Sequence, residues 1–276
     1  MNAQPATTAA AAASSLILLR EDKGGIAILT LNRPQARNSL SEALLEGLSD
    51  ALTAIAHDRT VRVVVLAANG PAFSAGHDLK ELNAHRKDED RGRSYFKHIM
   101  GLCSGVMQQI VTLPQPVIAA VQATATAAGC QLVASCDLAV ASHAARFATP
   151  GVNIGLFCST PMVALSRNVP RKAAMEMLLT GELIAAEDAA RIGLVNHVVA
   201  AGHERAEALK LAEKIATKST LTVKIGKEAF YRQAETPLAD AYKYASEVMV
   251  ENMLARDAEE GIGAFIEKRE PKWQDR

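Results

Sequence analysis

The chain has 276 residues, of which 49% are hydrophobic and 22% are charged. This composition supplies a large apolar core and excludes an intrinsically disordered chain. The 30 basic and 30 acidic residues cancel, so the net charge gives no sign of a nucleic-acid partner. No apolar run approaches the roughly 18 residues needed to cross a bilayer, and the sequence predicts a soluble protein without a membrane span.

The first 15 residues and the cysteines bear on the compartment. Residues 1–15 are rich in alanine and threonine and carry no charged side chain, which is unlike a secretory signal or an arginine-rich mitochondrial presequence. We expect a disordered tail there. The four cysteines lack C-x-x-C spacing, so we expect reduced thiols and a cytoplasmic location. They are Cys103, Cys130, Cys136 and Cys158.

The first elements alternate between strand and helix. Residues 25–31 form an apolar run that predicts a strand. In residues 41–57, leucine and isoleucine recur at helical spacing, and Ser39 or Ser41 is a suitable N-cap. A second apolar, β-branched run at residues 61–67 predicts the next strand.

Two short turns follow apolar strands and lead into helical segments. The first turn is residues 71–79, and the second is residues 127–132, which follows a predicted strand at 117–121. A strand that ends at small residues and restarts as a helix leaves backbone N–H groups unpaired. Two such groups converging on one point form an oxyanion hole, which stabilises charge developing on an acyl oxygen.

The rest of the chain completes the pattern. A helix is predicted at residues 95–113 and a strand at 137–141; after about residue 203, four amphipathic helices follow. Asp257 is a plausible N-cap of the last helix, with Glu260 three positions on. The alternation predicts α/β architecture, and periodicity alone favours a doubly wound sheet.

Six motifs in a shared order resemble the crotonase (enoyl-CoA hydratase/isomerase) superfamily, from about residue 16 to the end of the chain. In place of a doubly wound sheet, the resemblance implies a spiral of ββα repeats in residues 16–202. It also implies a helical region at 203–276 that forms trimers, commonly stacked as a dimer of trimers. The motifs are residues 31–34, 73–79, 129–132, 136–139, 147–155 and 260–269.

The resemblance further implies an acyl-CoA thioester as the ligand, with coenzyme A entering as part of the substrate and no separate cofactor. It assigns the oxyanion N–H donors to His77 and Ala128. Relatives usually have glycine at the second position, and alanine keeps the donor if φ there is not positive. No metal-ligand spacing or nucleotide motif occurs in the sequence. The residues expected to line the ligand around these donors are Ala75, Gly76, Asp78, Leu79, Lys80 and Gly129.

The two glutamates that family hydratases use are replaced in this chain by Gln131 and Gly151. Glutamine can hydrogen-bond a water but cannot exchange a proton with it, and glycine does neither. Each general acid or base is worth roughly 10²–10⁴-fold in rate. We therefore expect a divergent hydratase-like enzyme in which two-glutamate hydration is inefficient. The alternatives are an isomerase or decarboxylase of acyl-CoA, or a non-catalytic acyl-CoA-binding or regulatory protein.

Four further side chains have two interpretations each. Ser159 stands where other superfamily members have an acid, and it either faces the acyl chain or caps the helix that begins near Pro161. The His77 ring either shuttles protons or packs aside while its backbone acts. The resemblance implies that Phe265 and Lys268 reach the adenine and phosphate of CoA in a neighbouring subunit. A solvated helix face explains the charge of Lys268 equally well.

Overall fold

Two β-sheets and eleven α-helices make up residues 16–276, the part of the chain that the computed structural model describes. The tail expected at residues 1–15 lies outside the described residues. The strands are β1 (Leu18–Lys23), β2 (Ile26–Leu31), β3 (Val63–Ala68), β4 (Ala72–Ser74), β5 (Val117–Val121), β6 (Thr124–Thr126), β7 (Leu138–Ser142), β8 (Arg146–Ala148), β9 (Ile184–Ala185) and β10 (His197–Val199).

The larger sheet has the strand order β1-β2-β3-β5-β7-β10. Strands β1 and β2 form an antiparallel pair, and the other neighbours are parallel. Strands β2 and β5 are buried at every residue, and β3 is buried at all but its last. Parallel strands covered on both faces read as continuous apolar runs rather than as an alternating pattern, which is why the sequence predicts them well.

The smaller sheet has the strand order β4-β6-β8-β9. Its first three strands are parallel, and each directly follows a strand of the larger sheet. The repeated unit is therefore two strands followed by a helix. This is the spiral that the family resemblance implies, and the doubly wound sheet suggested by periodicity alone is wrong.

The helices lie between and outside the sheets. Helix α1 has Ser41 at its N-cap, where the side chain accepts a hydrogen bond from the Leu44 N–H; this confirms one of the two predicted caps. The helices are α1 (Glu42–His57), α2 (Leu79–Ala84), α3 (Arg93–Thr112), α4 (Ala128–Ser135), α5 (Pro161–Asn168), α6 (Arg171–Thr180), α7 (Ala186–Arg191), α8 (Glu204–Ala216), α9 (Thr220–Ala234), α10 (Leu238–Leu254) and α11 (Arg256–Glu267).

The C-terminal helices differ from the sequence prediction in one respect. Helix α11 begins at Arg256, with Ala255 at the N-cap, so the prediction of Asp257 as N-cap is wrong. Asp257 is 1% exposed, and its carboxylate accepts the N–H groups of Gln274 and Asp275 at 2.7 and 2.9 Å. The carboxylate thus fastens the last residues of the chain to α11.

The hydrophobic core lies on both faces of the larger sheet. One face packs against α1, α3 and α4, and the other packs against α8 through Ala208 and Ala212. Among the described helices, none combines the length and apolar character required to span a bilayer.

Candidate active site

The two predicted turns lie against each other. Strands β4 and β6 are neighbours, and each turn leaves the end of one of them. Gly76 has a φ of +88°, and a methyl group added there would lie 3.2 Å from the Ala128 nitrogen. A methyl group added at Gly129 would lie 2.8 Å from the Ser74 carbonyl carbon. Glycine at both positions is therefore what permits the turns to meet.

The His77 N–H group points away from its neighbouring strand segment. His77 forms an isolated parallel bridge with Leu40. The bridge uses the groups on either side of His77: the Leu40 N–H donates to the Gly76 carbonyl at 2.7 Å, and the Asp78 N–H donates to the Leu40 carbonyl at 3.4 Å. Within residues 16–276, the His77 N–H itself has no backbone acceptor.

Ala128 is the first residue of α4. The first N–H groups of a helix have no intrahelical acceptor, and the helix dipole places partial positive charge there. The first bond at this end is donated by the Gln131 N–H to the Ala127 carbonyl at 3.0 Å. The N–H groups of His77 and Ala128, on two adjoining turns, thus both lack a backbone acceptor within residues 16–276.

The unusual backbone conformation is at Ala127 rather than at Ala128. Ala128 is not among the described residues with positive φ, so the condition set for its donor is met. Ala127 has φ 50° and ψ −121°, a region that costs a non-glycine residue about 1–3 kcal/mol. The Ala127 N–H donates to the Ala148 carbonyl at 2.9 Å, and this bond helps to hold the strained turn against β8.

Gln131 and Gly151, the two residues that the sequence resemblance aligned with glutamates, are both buried. Gln131 is 4% exposed, and its Oε1 has no hydrogen-bond partner. The Gly151 N–H donates to Cys158 Sγ at 3.3 Å. A methyl group added at Gly151 would lie 2.7 Å from the Leu156 carbonyl oxygen and 2.9 Å from Cys158 Sγ. The second position therefore lacks room for any side chain.

The His77 ring is buried at both nitrogens, which have no hydrogen-bond partner. Burial lowers the pKa of His77, because the charged imidazolium loses its hydration. The Leu40 carbonyl opposes this shift, although it forms no hydrogen bond of normal geometry with the ring. The imidazole is thus neutral at pH 7.

Asp78 has a structural role beside the first turn. As N-cap of α2, it accepts the N–H groups of Lys80 and Glu81, and it pairs with Arg33 at 3.1 Å. Partial burial by itself would raise the pKa of Asp78, but the Glu81 N–H, Arg33 and Ser39 outweigh it, and the pKa is lowered. The flanking residues expected at the ligand groove are on the surface: Ala75, Leu79 and Lys80 are exposed.

Ser159 is exposed, and its hydroxyl donates to the Phe157 carbonyl at 3.4 Å. The N-cap of α5 is Thr160, with Pro161 as the first helical residue, and no side chain makes a capping bond. A capping role for the Ser159 hydroxyl therefore has no support. Its contact with an acyl chain stays a prediction.

The last helix packs against other C-terminal helices and not against the two turns. Helix α11 packs mainly against α9 and α10. The Phe265 side chain is 85% exposed, and Lys268 follows the helix in a left-handed conformation with φ 56°. The single chain leaves Phe265 available to another surface.

Sequence reasoning missed one residue at this site and underrated another. Thr149 is fully buried, and its Oγ1 has no partner. It lies two residues before Gly151, and this position in the sequence was the only signal for it. The sequence identified Cys158 only as one of four reduced thiols, whereas its sulfur accepts a hydrogen bond from the Gly151 N–H. Among the described residues, no group of histidine, cysteine or carboxylate side chains could hold a metal ion.

Comparison with known proteins gives extensive matches. The family model described as enoyl-CoA hydratase/isomerase matches residues 21–276. The enoyl-CoA hydratase domain-containing protein 3, mitochondrial, of Xenopus laevis is 50% identical over 253 residues, or 92% of this chain and 84% of the relative. A crystal structure of enoyl-CoA hydratase from Mycobacterium smegmatis is 53% identical, with a TM-score of 0.89 over 94% of this chain and 99% of that one. The human domain-containing protein 3 structure is 47% identical, with a TM-score of 0.88 over 94% and 100%.

These relatives also correct one expectation. Five vertebrate proteins of the same name, from Xenopus laevis, rat, mouse, human and zebrafish, are 46–50% identical to the chain and are described as mitochondrial. This finding overturns the cytoplasmic location expected from the sequence. The composition of the first 15 residues was a poor guide to the compartment.

Proposed function

Because the chain belongs to the enoyl-CoA hydratase/isomerase family, we propose that it binds acyl-CoA thioesters and stabilises charge on the thioester oxygen. The donors are the N–H groups of His77 and Ala128. The observation that carries the proposal is the contact between the two turns, where Gly76 brings these unpaired amides together. Removing one such donor from an enzyme typically costs 10²–10³-fold in rate.

The reaction at this site passes through a thioester enolate. In an enolate, the negative charge lies on the oxygen that the two amides face, so backbone donors lower its energy without any carboxylate. Gln131 holds a water or a ligand group by hydrogen bonds but transfers no proton at neutral pH. Hydration that depends on two glutamates is therefore slow.

The segment after β8 supports a reaction other than standard hydration. The Leu156 carbonyl and Cys158 occupy the space that a side chain at position 151 would need. An isomerase or decarboxylase depends less than a hydratase on glutamates at positions 131 and 151. The same observation favours the second candidate, a protein that binds acyl-CoA without turning it over.

We also propose that the chain assembles as a trimer or a dimer of trimers. The support is the set of large apolar side chains that α9, α10 and α11 expose, since apolar residues grouped on a surface mark interaction sites. Phe265 and Lys268 on this surface are then suited to contact the CoA moiety in a neighbouring subunit. No metal and no separate cofactor enter the proposal. The exposed apolar residues are Phe230, Leu238, Tyr242, Met249, Val250, Met253, Leu254, Ile262, Phe265 and Ile266.

Two measurements test the function. Isothermal titration calorimetry with butyryl-CoA is expected to show binding, and absence of binding rejects the proposal. Crotonyl-CoA hydration, followed at the enoyl absorbance, is expected to be slower than in a two-glutamate relative by about 10²-fold or more. Equal turnover contradicts the role given to Gln131 and Gly151. Binding with no product from enoyl, β-keto and malonyl thioesters selects the non-catalytic candidate.

A further inference from the structure

A loop between β2 and α1, residues 33–40, runs alongside the first turn and is hydrogen-bonded to it. The Ser74 hydroxyl donates to the Asn38 carbonyl at 2.8 Å. Two residues farther along each segment, the Leu40 N–H donates to the Gly76 carbonyl at 2.7 Å. The second bond is next to the first of the two proposed oxyanion donors, so the position of the loop bears on the direction of that N–H group.

Asn38 is the fully buried residue of this loop. Its exposed fraction is 0%, and its φ of 49° lies in the left-handed region, which asparagine adopts more readily than most residues. Its Nδ2 donates to the carbonyls of Asn69 and Ala72, both at 2.8 Å, and its Oδ1 accepts the Arg33 N–H at 2.8 Å. The amide therefore uses both its N–H groups and its oxygen.

The partners of Asn38 lie at the two ends of β4. Asn69 is in the connection that follows β3, and Ala72 is the first residue of β4. The Asn38 side chain thus holds the start of this strand, and its backbone carbonyl holds the end, at Ser74. Because β4 has only three residues, these bonds fix the segment that leads to His77.

Loss of the Asn38 amide would leave buried carbonyl groups without a donor. Such a group keeps the cost of losing its water, so the strand would move to restore a partner. A hydrogen bond weakens steeply as its angle departs from linearity. A small rotation of the His77 N–H therefore weakens its bond to a thioester oxygen, while contacts to the rest of the ligand remain.

We propose that Asn38 is a positioning residue for the thioester oxygen: acting through β4, its amide sets the direction of the His77 N–H without touching the ligand. This inference rests on the proposed function, because it takes the thioester oxygen to be bound at His77 and Ala128. It gives a role in ligand recognition to a residue that lies outside both turns.

The test compares two ligands that differ only at the thioester oxygen. Butyryl-CoA has the carbonyl group, whereas S-butyl-CoA has a methylene group in its place. Their dissociation constants are measured by isothermal titration calorimetry on the full chain. The wild type is expected to bind butyryl-CoA about tenfold more tightly, as hydrogen bonds to one oxygen allow. A general loss of structure or of contacts to CoA affects both ligands alike and leaves this ratio unchanged.

Asn38→Gly removes the amide and keeps the left-handed backbone, which glycine adopts without strain. The ratio of the two dissociation constants is expected to fall by about threefold or more. The infrared carbonyl stretch of bound butyryl-CoA is expected to lie closer to that of the free ligand. Arg37→Gly is the matched control, because Arg37 also has a positive φ, 50°, and its side chain is exposed. This control is expected to keep the tenfold ratio.

Ser74→Ala is a second variant of the same contact. It removes the hydroxyl that donates to the Asn38 carbonyl and is also expected to lower the ratio. It decides the question if Asn38→Gly does not fold.

The outcomes separate this inference from the proposed function. A ratio that stays near tenfold in Asn38→Gly, or in Ser74→Ala if the first variant does not fold, overturns the inference, because the amide then affects stability alone. An equal fall in Arg37→Gly also overturns it, since the effect is then not specific to the amide. Absence of binding of both ligands, or equal affinity for them in the wild type, rejects the proposed function and the inference with it.

Discussion

The two halves of the candidate site are built differently. The proposed oxyanion half, residues 74–79 and 126–129, would depend on backbone N–H groups, and glycine allows its two turns to meet. The acid half, residues 149–159, would depend on side chains, and there the chain folds over itself through the Gly151–Cys158 contact. In the proposed function, backbone donors remain whatever the side chains at positions 77 and 128, whereas proton transfer would require carboxylates that Gln131 and Gly151 do not supply. The proposed thioester-binding site therefore depends less on side-chain identity than the proposed reaction does.

The largest expected effect is that of a substitution at the contact between the two turns. Gly129→Ala places a methyl group 2.8 Å from the Ser74 carbonyl carbon, so β4 and α4 must separate. We expect the free energy of unfolding to fall by about 3 kcal/mol or more, with loss of acyl-CoA binding. Urea unfolding and calorimetry measure both.

Gly101→Ala is the control for that change. A methyl group at Gly101 would have no heavy atom within 4 Å, and the residue lies in the exposed middle of α3. There alanine is expected to stabilise the chain by about 0.5–1 kcal/mol. Equal stability of the two variants would contradict the close contact between the turns.

A smaller effect is expected in the acid half. Gly151→Ala is expected to destabilise the chain by about 1–3 kcal/mol, since the Leu156 carbonyl lies 2.7 Å from the added methyl group. For the same reason, adding Gly151→Glu to Gln131→Glu is expected to give no further gain in crotonyl-CoA hydration. A hydration rate that rises with the second substitution would show that the segment opens to admit a side chain.

Cys158 provides a finer test of the same segment. Cys158→Ala removes the sulfur that accepts the Gly151 N–H, and we expect a loss of about 1 kcal/mol in unfolding free energy. Cys158→Ser, which retains an acceptor, is expected to lose less. If alanine is tolerated better than serine, the thiol acts there as an apolar filler and not as an acceptor.

The smallest effect concerns the His77 ring and pH. Burial holds the folded-state pKa below the ordinary value, while the unfolded chain binds a proton near pH 6.5. As pH falls below about 6.5, protonation therefore favours the unfolded state until the folded pKa is reached. Relative to His77→Gln, the wild type is expected to be less stable at pH 5.5 than at pH 7.5 in urea unfolding. The same difference between the two proteins at both pH values would contradict a buried neutral ring.

The sequence predicted the longer elements and the two turns, but not how the spiral closes. Strands β4, β6 and β8 have three residues each, too few for a periodic signal, and without them the alternation resembled a doubly wound sheet. The true role of Asp257 depends on residues 17 and 18 positions away that fold back onto it. The absence of a carboxylate at positions 131 and 151 follows directly from Gln131 and Gly151 in the sequence. The sequence did not predict that position 151 lacks room for a side chain, because the atoms that fill this space belong to Leu156 and Cys158.

Infrared spectroscopy tests directly whether two backbone amides bind the thioester oxygen, as proposed. Butyryl-CoA labelled with ¹³C at the thioester carbonyl is bound to the protein, and the carbonyl stretch is compared with that of the free ligand. Two donors polarise the C=O bond, so the stretch is expected to shift to lower frequency. Replacing the Ala127–Ala128 peptide bond by an ester, which removes the Ala128 N–H, is expected to reverse part of that shift. If the carbonyl frequency of the bound ligand equals that of the free thioester, the two amides do not bind the thioester oxygen.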